Sequence, residues 1–153
     1  MASIRKRAPV ASSATVRRVM QANRSGDTGP EVRLRSTLHR LGFRFRKDHR
    51  PVPELKCKAD IVFPSIRLCV FVDGCYWHRC PKHFSTPKAN SEWWDEKINA
   101  NCERDALQTR ELKKRGWKVI RVWEHQVSGA TLDVTVSEIR NVLSKRLARK
   151  RIG

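Results

Sequence analysis

The apolar run Leu68 to Val72 reads as a buried strand, and Asp73-Gly74 bounds it with a turn signal. Whatever the chain folds into, the end of that strand must carry Cys75, Tyr76, Trp77, His78, Cys80 and His83. Two thiols, two imidazoles, a carboxylate and two large aromatic rings therefore crowd one loop. Core packing does not call for that mixture. Thiols with imidazoles suggest a metal, a carboxylate beside a histidine suggests acid–base chemistry, and exposed rings suggest stacking.

The chain has 153 residues, enough for one domain that buries a real core without disulfides. Its net charge is +18, from 33 Lys and Arg against 15 Asp and Glu. Arg5, Lys6, Arg7, Arg17, Arg18 and Arg24 lie in an acid-free N-terminal stretch, and Arg140, Lys145, Arg146, Arg149, Lys150 and Arg151 in an acid-free C-terminal one. Two basic arms on a moderately basic body are the footprint of a polyanion binder, with salt-sensitive affinity for phosphates. Solubilising tails are the plainer reading of the arms. A membrane surface fits less well, because the arms lack an aromatic-rich amphipathic pattern. Cys57, Cys69, Cys75, Cys80 and Cys102 make an odd count without framework spacing, and neither a signal peptide nor a membrane span is seen. A reducing cytoplasm is expected, where clustered thiols are metal ligands more often than disulfides.

Residues 1–26 read as a basic arm, 27–148 as the folded domain and 149–153 as a basic tail. Thr28 and Glu31 form a capping-box pattern with Pro30 in the first turn, and Leu34, Leu38 and Leu41 follow at helical spacing to Gly42. Phe43 to Arg46 alternates as a half-buried strand, and Ala59 to Phe63 is a second strand ended by Pro64. Ser91 can cap a long helix that runs to Arg115, with Gly116 ending it. Trp117 to Trp123 is the fourth strand, and residues 133–148 form a last helix with Val136, Ile139, Leu143 and Leu147 on one face. The order α-β-β-β-α-β-α predicts an α/β fold, a mixed sheet flanked by helices.

Cys75, Cys80 and His83 have a spacing compact enough to surround one ion, and His125, just past the fourth strand, is the best distant fourth ligand for a closed zinc site. Cys57, Cys69 and Cys102 read as core thiols. Asp60 interrupts an apolar strand, where a charge is costly unless paired or metal-bound; a hard cation such as Mg²⁺ could sit between it and the strand end at Val72-Asp73. A salt bridge would also explain Asp60, a turn would explain Asp73, and capping would explain Glu31. His78 is the candidate general base. The rival assignment makes His78 the zinc ligand and His83 the bystander, and spacing alone does not decide between them. Tyr76 and Trp77 are candidate stacking rings, with core packing as the alternative, and Trp94 could supply a third ring, while Trp93, Trp117 and Trp123 read as core.

These residues stand in a series of ordered motifs: TGPE at Thr28, LGFRFR, ADIVF, FVDGCYWHRCPKH, WWDEKINANCERD within Asn90 to Asp105, and GWKVIRVWEH. With them the chain resembles the very short patch repair (Vsr) endonucleases from about Thr28 to Glu124. The resemblance implies a restriction-endonuclease-like fold and a monomeric, Mg²⁺-dependent bacterial enzyme that nicks one strand of duplex DNA beside a T·G mismatch. It implies Asp60 as the magnesium aspartate with the Val72 carbonyl, His78 as the catalytic histidine and Glu31 as its supporting carboxylate. Cys75, Cys80, His83 and His125 correspond to zinc ligands, and Tyr76, Trp77 and Trp94 to rings that intercalate next to the mismatch. Tyr76 stands where phenylalanine is common and His125 where some members have cysteine; stacking and zinc binding tolerate both exchanges. The rivals are a nicking or restriction-type nuclease indifferent to mismatches, and a non-catalytic zinc-bearing DNA-binding module.

Overall fold

Alternation along the two central strands sorts the core into two faces. The computed structural model describes Arg7 and residues 9–11, 13–21 and 28–153. In chain order the elements are α1 (Ala14–Gln21), α2 (Gly29–Arg40), β1 (Arg46–His49), β2 (Ala59–Phe63), β3 (Leu68–Asp73), α3 (Ser91–Lys114), β4 (Lys118–Trp123) and α4 (Ala130–Ile152). Single 3₁₀ turns follow β2 (Pro64–Ile66) and β4 (Glu124–Val127). The four strands form one sheet in the order β1-β2-β3-β4, antiparallel except for the parallel pair β3 and β4. This is the expected mixed sheet flanked by helices.

Ile61, Phe63, Leu68, Val70 and Val122 point to one face, against Leu34 and Leu38 of α2 and Val136, Ile139 and Leu143 of α4. Val62, Cys69, Phe71 and Val119 point to the other, against Leu112 of α3. Both helices leading into strands end in the same way. Gly42 (φ +91°) donates to the His39 carbonyl and Phe43 to that of Leu38; Gly116 (φ +82°) donates to Lys113 and Trp117 to Leu112. Each glycine sits in the left-handed turn that closes a Schellman cap.

Several expected boundaries shift. The first strand is Arg46–His49 rather than residues 43–46, because Phe43 and Phe45 pack into the α2/α4 core before the ladder with β2 begins at Val62. What remains is a charged edge strand, a sequence that discourages pairing with another chain. Leu41 is exposed, since the helix caps there, and Leu147 is exposed as well, outside the cluster that Val136, Ile139 and Leu143 join. The last helix spans Ala130–Ile152 rather than residues 133–148. Cys57 and Cys69 are buried thiols, but Cys102 is only partly covered and donates to the His78 carbonyl at 3.5 Å. Asn90, in a left-handed conformation, precedes α3, so Ser91 is its first residue and not its cap. Within the expected N-terminal arm residues 14–21 are helical, and much of the remainder lies outside the described residues. Among the described residues no helix is long and apolar enough to cross a membrane.

Candidate active site and metal cluster

The topology brings the start of β2 and the ends of β3 and β4 to one end of the sheet. A cleft of about 810 Å³ opens there, and Glu31, Asp60, Asp73, His78, Asp105 and Arg121 all face it. Lys56, Lys58, Lys97 and Arg104 also line it, so the cleft has an acidic floor among cationic side chains.

Asp60 Oδ2 accepts the Val72 amide at 2.7 Å across the β2/β3 pair. Burial pushes the Asp60 carboxyl up to about 7 against the pull of that amide, and Glu31 and Asp73 push the same way. Glu31 is 7% exposed. Its amide donates to Thr28 Oγ1 at 3.5 Å, so the helix start forms as expected, while its carboxylate lies 3.6 Å from Arg35. The two carboxylates singled out in the sequence therefore share one cleft with His78.

His78 Nδ1 is hydrogen-bonded to Asp105 Oδ2 and lies 3.9 Å from Asp73 Oδ1. Burial pushes the imidazole down, but the Asp105 hydrogen bond and the charges of Asp73 and Asp105 outweigh it and leave His78 above its ordinary value. With Nδ1–H donated to Asp105, Nε2 is the nitrogen left as an acceptor. Asp105 carried no individual role in the sequence, although it closes the WWDEKINANCERD motif. Its signal was helical position: Asn101, Cys102 and Asp105 lie on one face of α3, and Asn101 Nδ2 holds the Trp77 carbonyl at 3.1 Å. Asp73 is more than a turn residue. It is 8% exposed and takes both oxygens to Arg121 Nη1, at 3.1 and 3.3 Å. Arg121 also donates to Thr109 Oγ1 at 2.8 Å and the Asp105 carbonyl at 3.3 Å, with its guanidinium 4.2 Å from the Phe71 ring centroid.

The loop after β3 is tightly wound. His78 donates to the Gly74 carbonyl, Cys80 to Cys75 and Phe84 to Cys80, and Glu124 Oε1 accepts the Cys75 amide at 3.1 Å. This gathers Cys75, Cys80, His83 and His125 so that one ligand atom of each lies within 4.8 Å of the others. His125 Nδ1 is 3.2 Å from Cys75 Sγ and 3.7 Å from Cys80 Sγ, and His83 Nδ1 is 3.8 Å from Cys80 Sγ. Tetrahedral zinc, with bonds of about 2.0–2.3 Å, needs ligand atoms roughly 3.3–3.8 Å apart, so the donor set fits. Burial and the neighbouring His83 and Lys82 hold His125 below its ordinary value, which favours the neutral imidazole that binds metals. His83 sits with the thiols and His78 with the carboxylates. The geometry thus separates the two histidines that spacing left interchangeable.

Outside this knot, Tyr76 and Trp77 are half-buried and meet edge to face with centroids 5.2 Å apart. Trp94 is different. It is 5% exposed, packed within 4.8 to 5.7 Å of Trp93, Tyr76 and Trp77.

Three comparisons bear on this site. The profile of the family described as DNA mismatch endonuclease Vsr matches residues 9–83. The type II nicking enzyme V.NaeI of Lentzea aerocolonigenes is 48% identical over 71% of this chain and 67% of its own. DNA mismatch endonuclease Vsr of Escherichia coli (strain K12) is 36% identical over 80% of this chain and 77% of its own. Among solved structures, the catalytic domain of homing endonuclease I-Bth0305I aligns with 80% of this chain and 97% of its own, at 16% identity and a TM-score of 0.47. A carboxylate-and-histidine cleft among cations, in a chain whose sequence relatives are nicking and mismatch endonucleases, defines a DNA endonuclease. The chain belongs to the Vsr DNA mismatch endonuclease family.

Proposed function

We propose that the enzyme nicks one strand of duplex DNA next to a T·G mismatch, using Mg²⁺ at Asp60 and a structural zinc held by Cys75, Cys80, His83 and His125. The observation that carries this reading is the convergence of Asp60, Glu31 and His78 in one cleft directly beside the half-buried rings of Tyr76 and Trp77. Cleavage chemistry and a means of probing base stacking share one loop.

The lining lysines and Arg104 hold the DNA by its phosphates. Tyr76 and Trp77 wedge between base steps, most readily where a mismatch has weakened stacking, and Trp94 backs them from below. Asp105 fixes the His78 tautomer so that Nε2 takes a proton from water. That water forms the new bond to phosphorus as the bond to the 3′ oxygen breaks. The 3′ oxygen leaves and is protonated, giving 5′-phosphate and 3′-hydroxyl ends. The donor set at Asp60 suits magnesium: a partly buried carboxylate with one oxygen on the Val72 amide, with Glu31 and Asp73 facing the same cleft, all hard oxygen ligands. Bound there with the Val72 carbonyl, the ion would polarise the phosphodiester and offset charge on the leaving oxygen. Zinc would stiffen the loop that carries His78 and both wedge rings. The enzyme acts as a monomer in the cytoplasm, where its five free cysteines stay reduced.

The test is nicking of a labelled duplex with one T·G mismatch against its matched twin, with and without Mg²⁺. A single magnesium-dependent cut beside the mismatch is expected. Equal cutting of both duplexes would favour a nicking enzyme without mismatch selectivity, a reading that the V.NaeI relative's name suggests. Binding of the mismatch without a cut under any divalent ion would overturn the catalytic reading.

A further inference from the structure

The cleft uses one end of the sheet, and a second strong positive surface lies at the other. β3 and β4 both run from that far end towards the cleft, so about six residues of strand, roughly 20 Å, separate the two. At the far end the turn Pro64–Ile66, Arg67 and the start of β4 meet the C-terminal half of α4. Arg146 fastens the corner, donating to the Ile66 carbonyl at 2.7 Å and the Gly116 carbonyl at 3.1 Å. Arg67, in a left-handed conformation (φ +51°), accepts the Lys118 amide at 2.8 Å; its guanidinium lies against Gly116, where a Cβ would sit 3.3 Å from Nη1. The result is a hollow of about 270 Å³ lined by Ser65, Ile66, Arg67, Arg146, Arg149 and Lys150.

Arg67, Arg149 and Lys150 are exposed, and among the described residues none of them has an acidic partner. No acid follows Glu138 in the chain. A helix C-terminus favours cations, but its macrodipole amounts to only about half a charge. Four cations around one hollow therefore repel one another well beyond what the helix end offsets. Such a field is favourable only against a polyanion that releases counterions when it binds. The hollow lies at the opposite end of the sheet from the cleft, which favours a duplex segment other than the one held there.

We infer that the far end of the sheet is a second DNA surface that binds the phosphate backbone of a duplex segment other than the one in the cleft. The enzyme then holds two segments at once and can pass between them without returning to free solution. The inference rests on DNA being this family's partner, and not on the mismatch or magnesium readings.

The experiment uses the full chain in magnesium-free buffer with matched duplexes, so that neither cutting nor mismatch choice enters. One duplex is fixed to beads, the enzyme is added, and capture of a second, labelled duplex is measured against salt. The wild type should capture the second duplex. The Arg67→Glu/Arg149→Glu/Lys150→Glu variant should lose capture at least about tenfold, and the corresponding triple glutamine variant should lose part of it. The log–log salt slope of capture should fall by about 0.9 for each phosphate contact removed. Both variants should nick a short duplex at the wild-type rate, which also reports that they fold. Absence of capture by the wild type overturns the inference. So does equal capture by the variants, which would assign bridging to the N-terminal segment or to a dimer. A parallel fall in short-duplex nicking would place the hollow on the same duplex as the cleft and also overturn it.

Discussion

Arg121 Nη1 stands 3.1 Å from Asp73 Oδ1 and 3.3 Å from Oδ2, with both side chains largely shielded from water. The guanidinium lies between Asp73 and Asp105 and neutralises the wall of the cleft that faces His78. Removing one member of a shielded pair leaves the other as an uncompensated charge. Arg121→Met should therefore cost about 3 kcal/mol, and adding Asp73→Asn should restore much of the loss. Urea midpoints of the two single variants and the double variant test this. An Arg121→Met protein as stable as the wild type would show that the pair is solvated after all.

Asp60 gives a pH-dependent stability of known sign. Its folded carboxyl titrates near 7, above the ordinary 3.8, so the folded chain holds this proton more tightly than the unfolded chain does. The stabilisation is complete below the unfolded value and is lost as pH rises from about 4 to about 7. Asp60→Asn carries no such charge. In magnesium-free buffer at pH 8 it should be more stable than the wild type by up to about 4 kcal/mol, and the gap should close near pH 4. Excess magnesium should narrow the gap by stabilising only the wild type. Melting curves across this range, paired with nicking assays that Asp60→Asn should fail, check both halves.

The proposed zinc ligands make a separate claim. Stripping the metal would leave two thiols and two imidazoles packed together, with burial holding Cys75 up at about 11. Losing the ion, or Cys80→Ser, should remove several kcal/mol and lower Tm by about 10 °C or more. Cobalt substitution should give the visible spectrum of a tetrahedral site with mixed sulfur and nitrogen ligands. A metal-free protein with an unchanged Tm would remove zinc from the account.

Period-two strands and glycine-closed helices made most of this architecture legible in the sequence. Local patterning failed where tertiary contacts decide. Phe43 and Phe45 alternate with arginines like a strand, yet the cap at Gly42 turns them into the helical side of the core, and the ladder starts later. The same limit hid Asp105. It sits mid-helix among other charges, and only the packing of α3 against the loop brings it to His78. The metal-like cluster was readable because three of its residues are close in sequence. His125 needed the parallel pairing of β3 and β4 to reach them.

Asp105 and His78 predict a shift in the nicking profile. If neutral His78 takes the proton from water, single-turnover nicking should rise with pH to a midpoint above 6.5, because the neighbouring carboxylates outweigh burial. Asp105→Asn removes the main opposing contribution and leaves only Asp73 against burial and Arg121, so the midpoint should move down. The rate plateau should also fall by about a hundredfold or more as the tautomer is freed. A lower plateau at an unchanged midpoint would mean that Asp105 orients the ring without setting its charge.

The three aromatic rings should separate into two kinds. Trp94 is packed against Trp93, Tyr76 and Trp77 at 5% exposure, so Trp94→Ala should open a cavity and cost about 3–5 kcal/mol. Tyr76 and Trp77 keep part of their surface in water, and Tyr76→Ala should cost far less stability. Its loss should appear in DNA instead, as weaker preference for a T·G duplex over its matched twin. Trp94→Phe, which keeps a ring at the base of the cluster, should retain most stability and most of that preference. Urea melts beside competition binding of the two duplexes separate these outcomes. If Trp94→Phe folds normally yet loses the mismatch preference as completely as Tyr76→Ala, Trp94 leaves its packing to enter the duplex, and the cluster must open when DNA binds.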